Sequence, residues 1–168
     1  LCLLALCGGL MGSPMSMAAG IQICYHYGCK KTAVIQVAPL LQQQLADLFR
    51  PVVNAAGERQ AMAVAVQRLY QTAGQQSPIF ADKGGNFADG SADGRMDCVD
   101  HSSNSTAFLQ YLAQQGWLKF HRVTQPVYRA PRFFDLHYAA RVETLDAAQS
   151  WVVDSWFHDF GSAPEVVE

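Results

Sequence analysis

Charged residues are scarce in this chain, and neither sign of charge dominates. Its 12 lysines and arginines face 14 aspartates and glutamates, which gives a formal net charge of −2. Neither sign forms a long run, whereas protein surfaces that bind nucleic acid are strongly basic. We therefore expect no nucleic-acid partner.

The chain also lacks an apolar stretch of the roughly 20 residues that a membrane-spanning helix needs. Residues 1–18 carry no charge and open with an apolar run of about nine residues, the length of the h-region of a signal peptide. Small residues at Ser16 and Ala18 provide a cleavage point before Ala19. We predict a signal peptide over residues 1–18, incomplete at its start because it has no initiator methionine and no basic n-region.

This leader predicts an exported protein, periplasmic or secreted. A lipoprotein anchor is the less favoured alternative, because the bulky Leu6 precedes Cys7 where lipid attachment requires a small residue. Residues 19–168 contain no internal repeat and no low-complexity segment, and 50% of the whole chain is hydrophobic. This composition predicts a single domain, with no membrane span in the mature chain.

Three cysteines remain after the predicted leader is removed. Cys24 and Cys29 lie in CYHYGC, where a glycine can turn the chain, and an oxidising compartment favours a disulfide between them. A metal site that adds His26 to this pair is the less favoured alternative, because no second ligand pair follows at a zinc-like spacing. Cys98 is left as a single thiol.

Three stretches have the spacing of helices. Residues 39–53 carry apolar residues at helical intervals after an initial proline. A second helix is predicted to begin after Asn54 as its N-cap and to end at Gly74. The third spans residues 97–115, with Gly116 in the C′ position. The apolar stripe of the second helix comprises Met62, Val66, Leu69, Tyr70 and Ala73.

The rest of the chain is irregular or strand-like. Residues 74–97 are rich in glycine and aspartate without any period, which is typical of a functional loop. Short runs of aromatic and β-branched residues then predict strands over residues 117–123, 127–129, 134–144 and 150–157. Because helices precede strands, we expect an α+β fold in which N-terminal helices pack on a mostly antiparallel sheet.

Cys98 lies at the start of the third predicted helix, in GRMDCVDHSSNS. The positive end of a helix dipole and the unpaired amide groups there favour a thiolate, which is the environment of a nucleophile. A nucleophilic cysteine also needs a base and a group that orients the base. The search for both leads to the later strands.

His137 and Asp154 are the candidates for these two groups. In FDLHYAARVET, His137 lies on the strand face opposite the aliphatic residues. A two-residue turn at Leu145 and Asp146 would place His137 directly opposite Asp154 on the next strand. A register slip of two residues would leave the pair as diagonal neighbours on one face, and a slip of one would separate them.

This arrangement resembles the transglutaminase-like superfamily, including its bacterial cysteine proteinase branch. The resemblance covers residues 94–160 and lies in Cys98 at a helix start, His137 on a strand and Asp154 in WVVDSW on the next strand. Tyr138 stands where a tryptophan often follows the histidine in that superfamily. The resemblance implies a papain-related fold with a catalytic triad, in which Cys98 is the nucleophile, His137 the general base and then acid, and Asp154 the orienting group.

The chemistry that the resemblance implies is acyl transfer on an amide bond of a protein or peptide substrate, with hydrolysis favoured over crosslinking. The developing oxyanion needs hydrogen-bond donors. The backbone N–H of Cys98 is one candidate, and the side chain of Asn86 is a weaker second. No cofactor is expected for this chemistry.

The irregular loop offers an alternative of another class. Six of its residues match an EF-hand-like calcium loop at positions one, three, five, six, nine and twelve; they are Asp89, Ser91, Asp93, Gly94, Asp97 and Asp100. The match is weakened by an aspartate at position twelve, where a bidentate glutamate is usual, and by the absence of a helical pattern before the loop. The alternative function is a noncatalytic envelope domain of the same fold that binds calcium or a protein partner through this loop.

Overall fold

The chain forms an α+β fold with two antiparallel sheets, seen in a computed structural model that describes residues 19–85, 88–90, 92–130 and 136–168. The first sheet is a hairpin of β1 (Ala19–Tyr25) and β2 (Lys31–Val37). The helices are α1 (Pro39–Phe49), α2 (Ala55–Gln76) and α3 (Cys98–Gln114), with a 3₁₀ turn at Pro78–Ala81. The second sheet has the order β3-β4-β5-β6, formed by His121–Arg129, His137–Thr144, Ser150–Asp154 and Glu165–Val167.

One hydrophobic core joins the three helices to both sheets. The predicted stripe of α2 is confirmed, since all five of its residues are buried. Leu109 of α3 lies in the same cluster as Ile23 of the hairpin and Val142 of β4. The two sheets are therefore connected through the helices that pack between them, and α3 contacts both β1 and β4.

Two predicted helix ends are wrong, for different reasons. The first helix stops at Phe49 and not at residue 53, because Pro51 has no backbone N–H with which to continue the helical hydrogen bonds. The second helix continues through Gly74 to Gln76. Gly74 is instead a packing position, since a Cβ atom built there would lie 2.2 Å from the Phe160 ring.

The helix caps that the sequence predicts are confirmed. Asn54 precedes α2 in an extended conformation, and its side chain accepts a hydrogen bond from the Gly57 amide. Gly116 follows α3 with a φ of 72°, which is the left-handed conformation that glycine adopts at C′ without a steric penalty. The bounds of α3 therefore agree with the prediction to within one residue.

The prediction that helices precede all strands is wrong, because the β1–β2 hairpin comes first. Its strands bury alternate side chains, including Ile21 and Ile23 on β1 and Ile35 and Val37 on β2. This alternation is the signal of a half-buried strand. The predicted strands do not include this hairpin, because the prediction for this part of the chain rests on its two cysteines alone.

The strands of the second sheet differ from the prediction in their bounds, and the predicted strands 117–123 and 127–129 form a single strand, β3. Residues 117–120 lie outside β3, and the Lys119 and Phe120 amides instead donate to the buried Glu58 carboxylate at 2.5 and 3.0 Å. That carboxylate also bonds to His121 Nδ1 at 2.8 Å. The strand β5 ends at Asp154, not at residue 157. Strand β6 was not predicted, and the first residues of the predicted strand 134–144 lie outside the described residues.

The register between β4 and β5 differs from the predicted one. Ala140 pairs with Val153, whereas a two-residue turn would have paired it with Trp151. The connection is a longer loop over residues 145–149, in which Ala148 has a φ of 51°. The Ala148 amide donates a hydrogen bond to the Thr144 carbonyl at 3.1 Å. This bond closes a turn longer than the expected two-residue turn.

The observed register places His137 and Asp154 on one face of the sheet as diagonal neighbours. A shift of two residues preserves the alternation of side chains, so both groups keep the face that the prediction gave them. Arg129 of β3 pairs directly with His137 and therefore belongs to the same face. Three polar groups are thus gathered at one end of the sheet.

Among the described residues, none of the helices combines the length and the apolar character that crossing a membrane requires. The disulfide between Cys24 and Cys29 is formed, as the sequence predicts. A disulfide is consistent with an exported protein, because thiols stay reduced in the cytosol of most organisms.

The contact between Gly74 and Phe160 predicts an unusual response to a helix-favouring substitution. Alanine has the higher helix propensity, but in Gly74→Ala its methyl group would overlap the ring. We expect this variant to lower the free energy of unfolding by about 1–3 kcal/mol, measured by urea denaturation.

Gly57→Ala in the same helix is the matched control. Its added Cβ would meet no atom closer than 3.4 Å, so it should raise the free energy of unfolding by about 0.5 kcal/mol or more. In a Phe160→Ala background, Gly74→Ala should no longer lower the free energy of unfolding. A Gly74→Ala variant as stable as the wild type would contradict the packing argument.

Candidate functional site

The start of α3 is fixed by a reciprocal cap. The Asp97 side chain accepts from the Asp100 amide at 3.0 Å, and the Asp100 side chain accepts from the Asp97 amide at 3.3 Å. This is a capping box built from two aspartates, which satisfies amide groups that the first turn leaves unpaired. Cys98 is the first residue of the helix, as the sequence predicts.

The disulfide turn of the hairpin is docked on this cap. The Gly28 amide donates to Asp97 Oδ2 at 2.9 Å, and the Cys29 amide donates to Asp100 Oδ1 at 2.6 Å. Three non-glycine residues of the turn have positive φ, namely His26, Tyr27 and Cys29. Such a conformation costs free energy at each residue, and the disulfide and the two carboxylates help to offset that cost.

A second contact joins the hairpin to α3 one turn further along. The Cys24 amide donates to Asn104 Oδ1 at 2.6 Å, and Asn104 Nδ2 donates to the Cys24 carbonyl at 2.8 Å. Because the Cys24 and Cys29 sulfurs are bonded to each other, they are not thiolates available to a metal ion. Cys98 is a free thiol.

His137 and Asp154 form a buried hydrogen-bonded pair. The distance between His137 Nε2 and Asp154 Oδ2 is 2.7 Å, and each side chain is only 1% exposed. The Trp156 amide donates to the other carboxylate oxygen at 3.1 Å. The imidazole also contacts the rings of Trp156 and Phe157, each with a centroid distance of 4.8 Å. Both its orientation and the nitrogen that meets the carboxylate are therefore fixed.

The Cys98 thiol lies against the backbone of the residue that follows His137. The hydrogen-bonded ladder between β4 and β5 begins at Ala140, and the backbone of Tyr138 lies close enough to the Cys98 thiol to lower its pKa. The start of α3 thus meets β4 where the ladder has not yet begun. This places the free thiol beside the strand residue that carries the imidazole.

The pKa of Cys98 is raised above its ordinary value, contrary to the expectation from the helix dipole. Burial is the main cause, and the negative charge of Asp97 adds to it. Hydrogen bonds from the backbone of Tyr138, Cys98 and Val99 act in the opposite direction but do not outweigh burial. The resting sulfur is therefore a protonated thiol at neutral pH.

A second buried histidine connects the segments that flank the site. His101 of α3 bonds through Nε2 to Asp82 Oδ2 at 2.9 Å and through Nδ1 to Ser155 Oγ at 2.8 Å. Asp82 also accepts from the Met96 amide at 2.7 Å. All three polar side chains are buried, so this network links the loop before Cys98 to the residue after Asp154.

The spacing of His101, one turn after Cys98, was the sequence signal for this network. Its two partners are far away in the chain, and neither lies in a recognisable motif. The network continues from Ser155 to the Tyr70 hydroxyl at 3.1 Å and from there to Ser105 at 3.1 Å. The network therefore connects four segments of the chain, namely α2, the loop before α3, α3 itself and the residues after β5.

The acidic loop residues are occupied by protein partners. Asp89 accepts from the Tyr27 hydroxyl at 2.7 Å and pairs with Arg95 at 2.7 Å. Asp93 pairs with Lys31 at 2.9 Å. With Asp97 and Asp100 engaged in the cap, these four carboxylates serve as anchors for the hairpin and the loop. Calcium binding stays a prediction from the sequence, and Ser91 lies outside the described residues.

The buried cap carboxylate predicts a pH dependence of stability. Burial raises the pKa of Asp100 from 3.8 to about 6, so the folded state holds a proton that the unfolded state releases. The stabilisation that this proton gives to the fold is fully present below the pKa of Asp100 in the unfolded chain. It is lost as the pH rises through the pKa of Asp100 in the folded chain. Between about pH 5 and pH 7, the wild type should lose about 1 kcal/mol of unfolding free energy relative to Asp100→Asn.

Urea denaturation at the two pH values measures this difference, and Asp93→Asn is the control. The exposed Asp93 has its pKa lowered by Lys31, so its contribution is present above the unfolded pKa and is lost as the pH falls. Between pH 5 and pH 7, Asp93→Asn should therefore lose as much unfolding free energy as the wild type. Equal pH dependence in the wild type and Asp100→Asn would refute the role of the cap.

Of the predicted site residues, His137 and Asp154 are in direct contact, and Cys98 lies against the backbone next to His137. The predicted oxyanion donor Asn86 lies outside the described residues. Comparisons with protein-family models, with curated proteins and with solved structures give no match for this chain.

Proposed function

We propose that the protein is an exported, cysteine-dependent acyl-transfer enzyme that hydrolyses amide bonds in proteins or peptides through Cys98, His137 and Asp154. The observation that carries this proposal is the buried contact of 2.7 Å between His137 and Asp154, next to a free thiol at a helix start. A buried carboxylate that orients an imidazole beside a thiol is the arrangement that cysteine nucleophiles require.

The reaction begins with proton transfer from the thiol. His137 Nε2 is hydrogen-bonded to Asp154, and in the proposed reaction Nδ1 accepts the proton of Cys98. The sulfur then attacks the amide carbonyl, and the electron pair of the C=O double bond moves to oxygen. When the tetrahedral intermediate collapses, the C–N bond breaks and His137 gives the proton to the leaving amine.

Hydrolysis of the thioester completes the cycle. His137 removes a proton from water, the resulting hydroxide attacks the acyl carbon, and the sulfur leaves as a thiolate that regains the proton. The oxyanion of both steps needs donors near Cys98. Its own amide and that of Val99 lower the pKa of the thiol, and we assign them as donors to the oxyanion.

The raised pKa of Cys98 favours general-base catalysis over a preformed ion pair. A protonated thiol is a weak nucleophile, so attack requires a base that removes the proton as the S–C bond forms. The fixed orientation of His137 supplies such a base. Export is supported by the Cys24–Cys29 disulfide.

The His101 network gives the site its rigidity in this proposal. It bonds to the residue after Asp154 and, through Asp82, to the residue two positions before Cys98. A shift of about 1 Å between a nucleophile and its base lowers the rate greatly. We therefore assign His101 as a positioning residue that keeps Cys98 at a fixed distance from the His137–Asp154 pair.

The proposal predicts the loss of peptide cleavage in three variants. A peptide library incubated with the protein and analysed by mass spectrometry should contain new termini, and Cys98→Ala should produce none. Asp154→Asn should lower the rate roughly a hundredfold or more, because the imidazole loses its orienting carboxylate. His137→Ala should lower it at least as much.

His158→Ala is the matched control for these variants. This histidine is partly exposed and pairs only with Glu165 at 3.5 Å among the described residues, so its loss should leave cleavage unchanged. Far-UV circular dichroism confirms that each variant is folded. Cleavage that persists in Cys98→Ala would refute the proposed function.

The raised pKa predicts slow alkylation at neutral pH. The rate of iodoacetamide labelling of Cys98, followed on its tryptic peptide, should increase with pH and reach its midpoint above the ordinary cysteine pKa of about 8.5. The same peptide in the unfolded chain should show the ordinary midpoint. A folded-state midpoint well below that value would mean a preformed thiolate, and general-base catalysis would then be wrong.

A further inference from the structure

We propose that Arg129 is a specificity-determining residue that binds a carboxylate of the substrate next to the scissile amide. This inference rests on the proposed function, since it names the class of substrate for the same site. The carboxylate belongs either to an acidic side chain or to the free end of a peptide. Both sources present the same planar pair of oxygens to a guanidinium group.

The register of the sheet places Arg129 beside the triad. It stands directly opposite His137 on β3, and its Nη1 atom lies 3.2 Å from Asp154 Oδ2. The backbone of the residue after His137 lies against the Cys98 thiol. A cation is therefore held on the face of the sheet that carries the His137–Asp154 pair.

Asp154 does not depend on this arginine for its hydrogen bonds. One carboxylate oxygen accepts from His137 at 2.7 Å, and the other accepts from the Trp156 amide at 3.1 Å. The contact with Arg129 is the longest of the three and uses one of the five N–H donors of the guanidinium. The other donors have no hydrogen-bond partner among the described residues, and none of their nitrogens is both buried and unpaired.

Arg129 is also the member of this cluster that a substrate can reach. Its side chain is 17% exposed, whereas those of His137 and Asp154 are each 1% exposed. Arg122 on the same strand differs, because it uses two donors on the Glu143 carboxylate, at 3.1 and 2.8 Å. Arg129 is therefore a partly desolvated cation with open donors, which is the state that favours a charge-assisted pair with a carboxylate.

Matched alkylating probes test this inference without a known substrate. Each probe reacts by the same step: the Cys98 sulfur bonds to the methylene carbon, bromide leaves with its bonding electrons, and the thiol proton passes to solvent. Bromoacetylglycine and bromoacetylglycinamide differ only in a terminal carboxylate. The bromoacetyl derivatives of aspartic acid amide and asparagine amide differ only in a side-chain carboxylate.

For each pair, the rate at which the acidic probe labels Cys98 is divided by the rate for the neutral probe. This ratio is then divided by the same ratio measured in the unfolded chain. For the wild type, at least one pair should favour the acidic probe about tenfold. Arg129→Gln should bring that ratio close to one, and Arg129→Lys should retain part of the preference. Because each ratio compares two probes on one protein, a general loss of reactivity in a variant cancels.

Arg122→Gln is the control for a change of charge on the same strand, and it should preserve the wild-type ratio. The pair that shows the preference identifies the source of the carboxylate. Equal ratios in the wild type and Arg129→Gln for both pairs would overturn the inference while leaving the triad intact, provided that peptide cleavage still depends on Cys98 and His137. Absence of Cys98-dependent cleavage would instead refute the proposed function.

Discussion

The geometry of the site depends on the capped start of α3. Two aspartates of the cap receive amide hydrogen bonds from their own helix turn and from the disulfide turn of the hairpin. The conformation of that turn is unfavourable by itself, since three of its non-glycine residues have positive φ. Cap and turn therefore stabilise each other, and Cys98 is fixed at the point where they meet.

Two buried histidines lie on either side of this point and have different roles in the proposed mechanism. His137 is paired with Asp154 and is oriented by two aromatic rings, which suits a group that exchanges protons with the sulfur. His101 is bonded on both ring nitrogens, which suits a structural link between segments. The burial of both explains why the fold uses carboxylates as their partners, since an unpaired imidazole in the interior would be costly.

The sequence predicted the local elements of the site more successfully than their surroundings. The start of α3, the disulfide and the shared face of His137 and Asp154 follow from short-range patterns, namely capping residues, cysteine spacing and strand alternation. The exact register did not follow, because the loop after β4 is closed by a residue with positive φ that no sequence rule marks. The partners of His101 were also missed, since Asp82 and Ser155 reach it only through the tertiary fold.

The catalytic groups of the proposed enzyme come from distant parts of one chain, and their order has a consequence for biosynthesis. The hairpin that steadies α3 is made before the helix that carries the thiol, and the strands that bring the imidazole and its carboxylate are made after that helix. A growing polypeptide would thus hold an unactivated sulfur until β5 is added. Reactivity toward other proteins would therefore arise only after β5 has been made and has folded against β4.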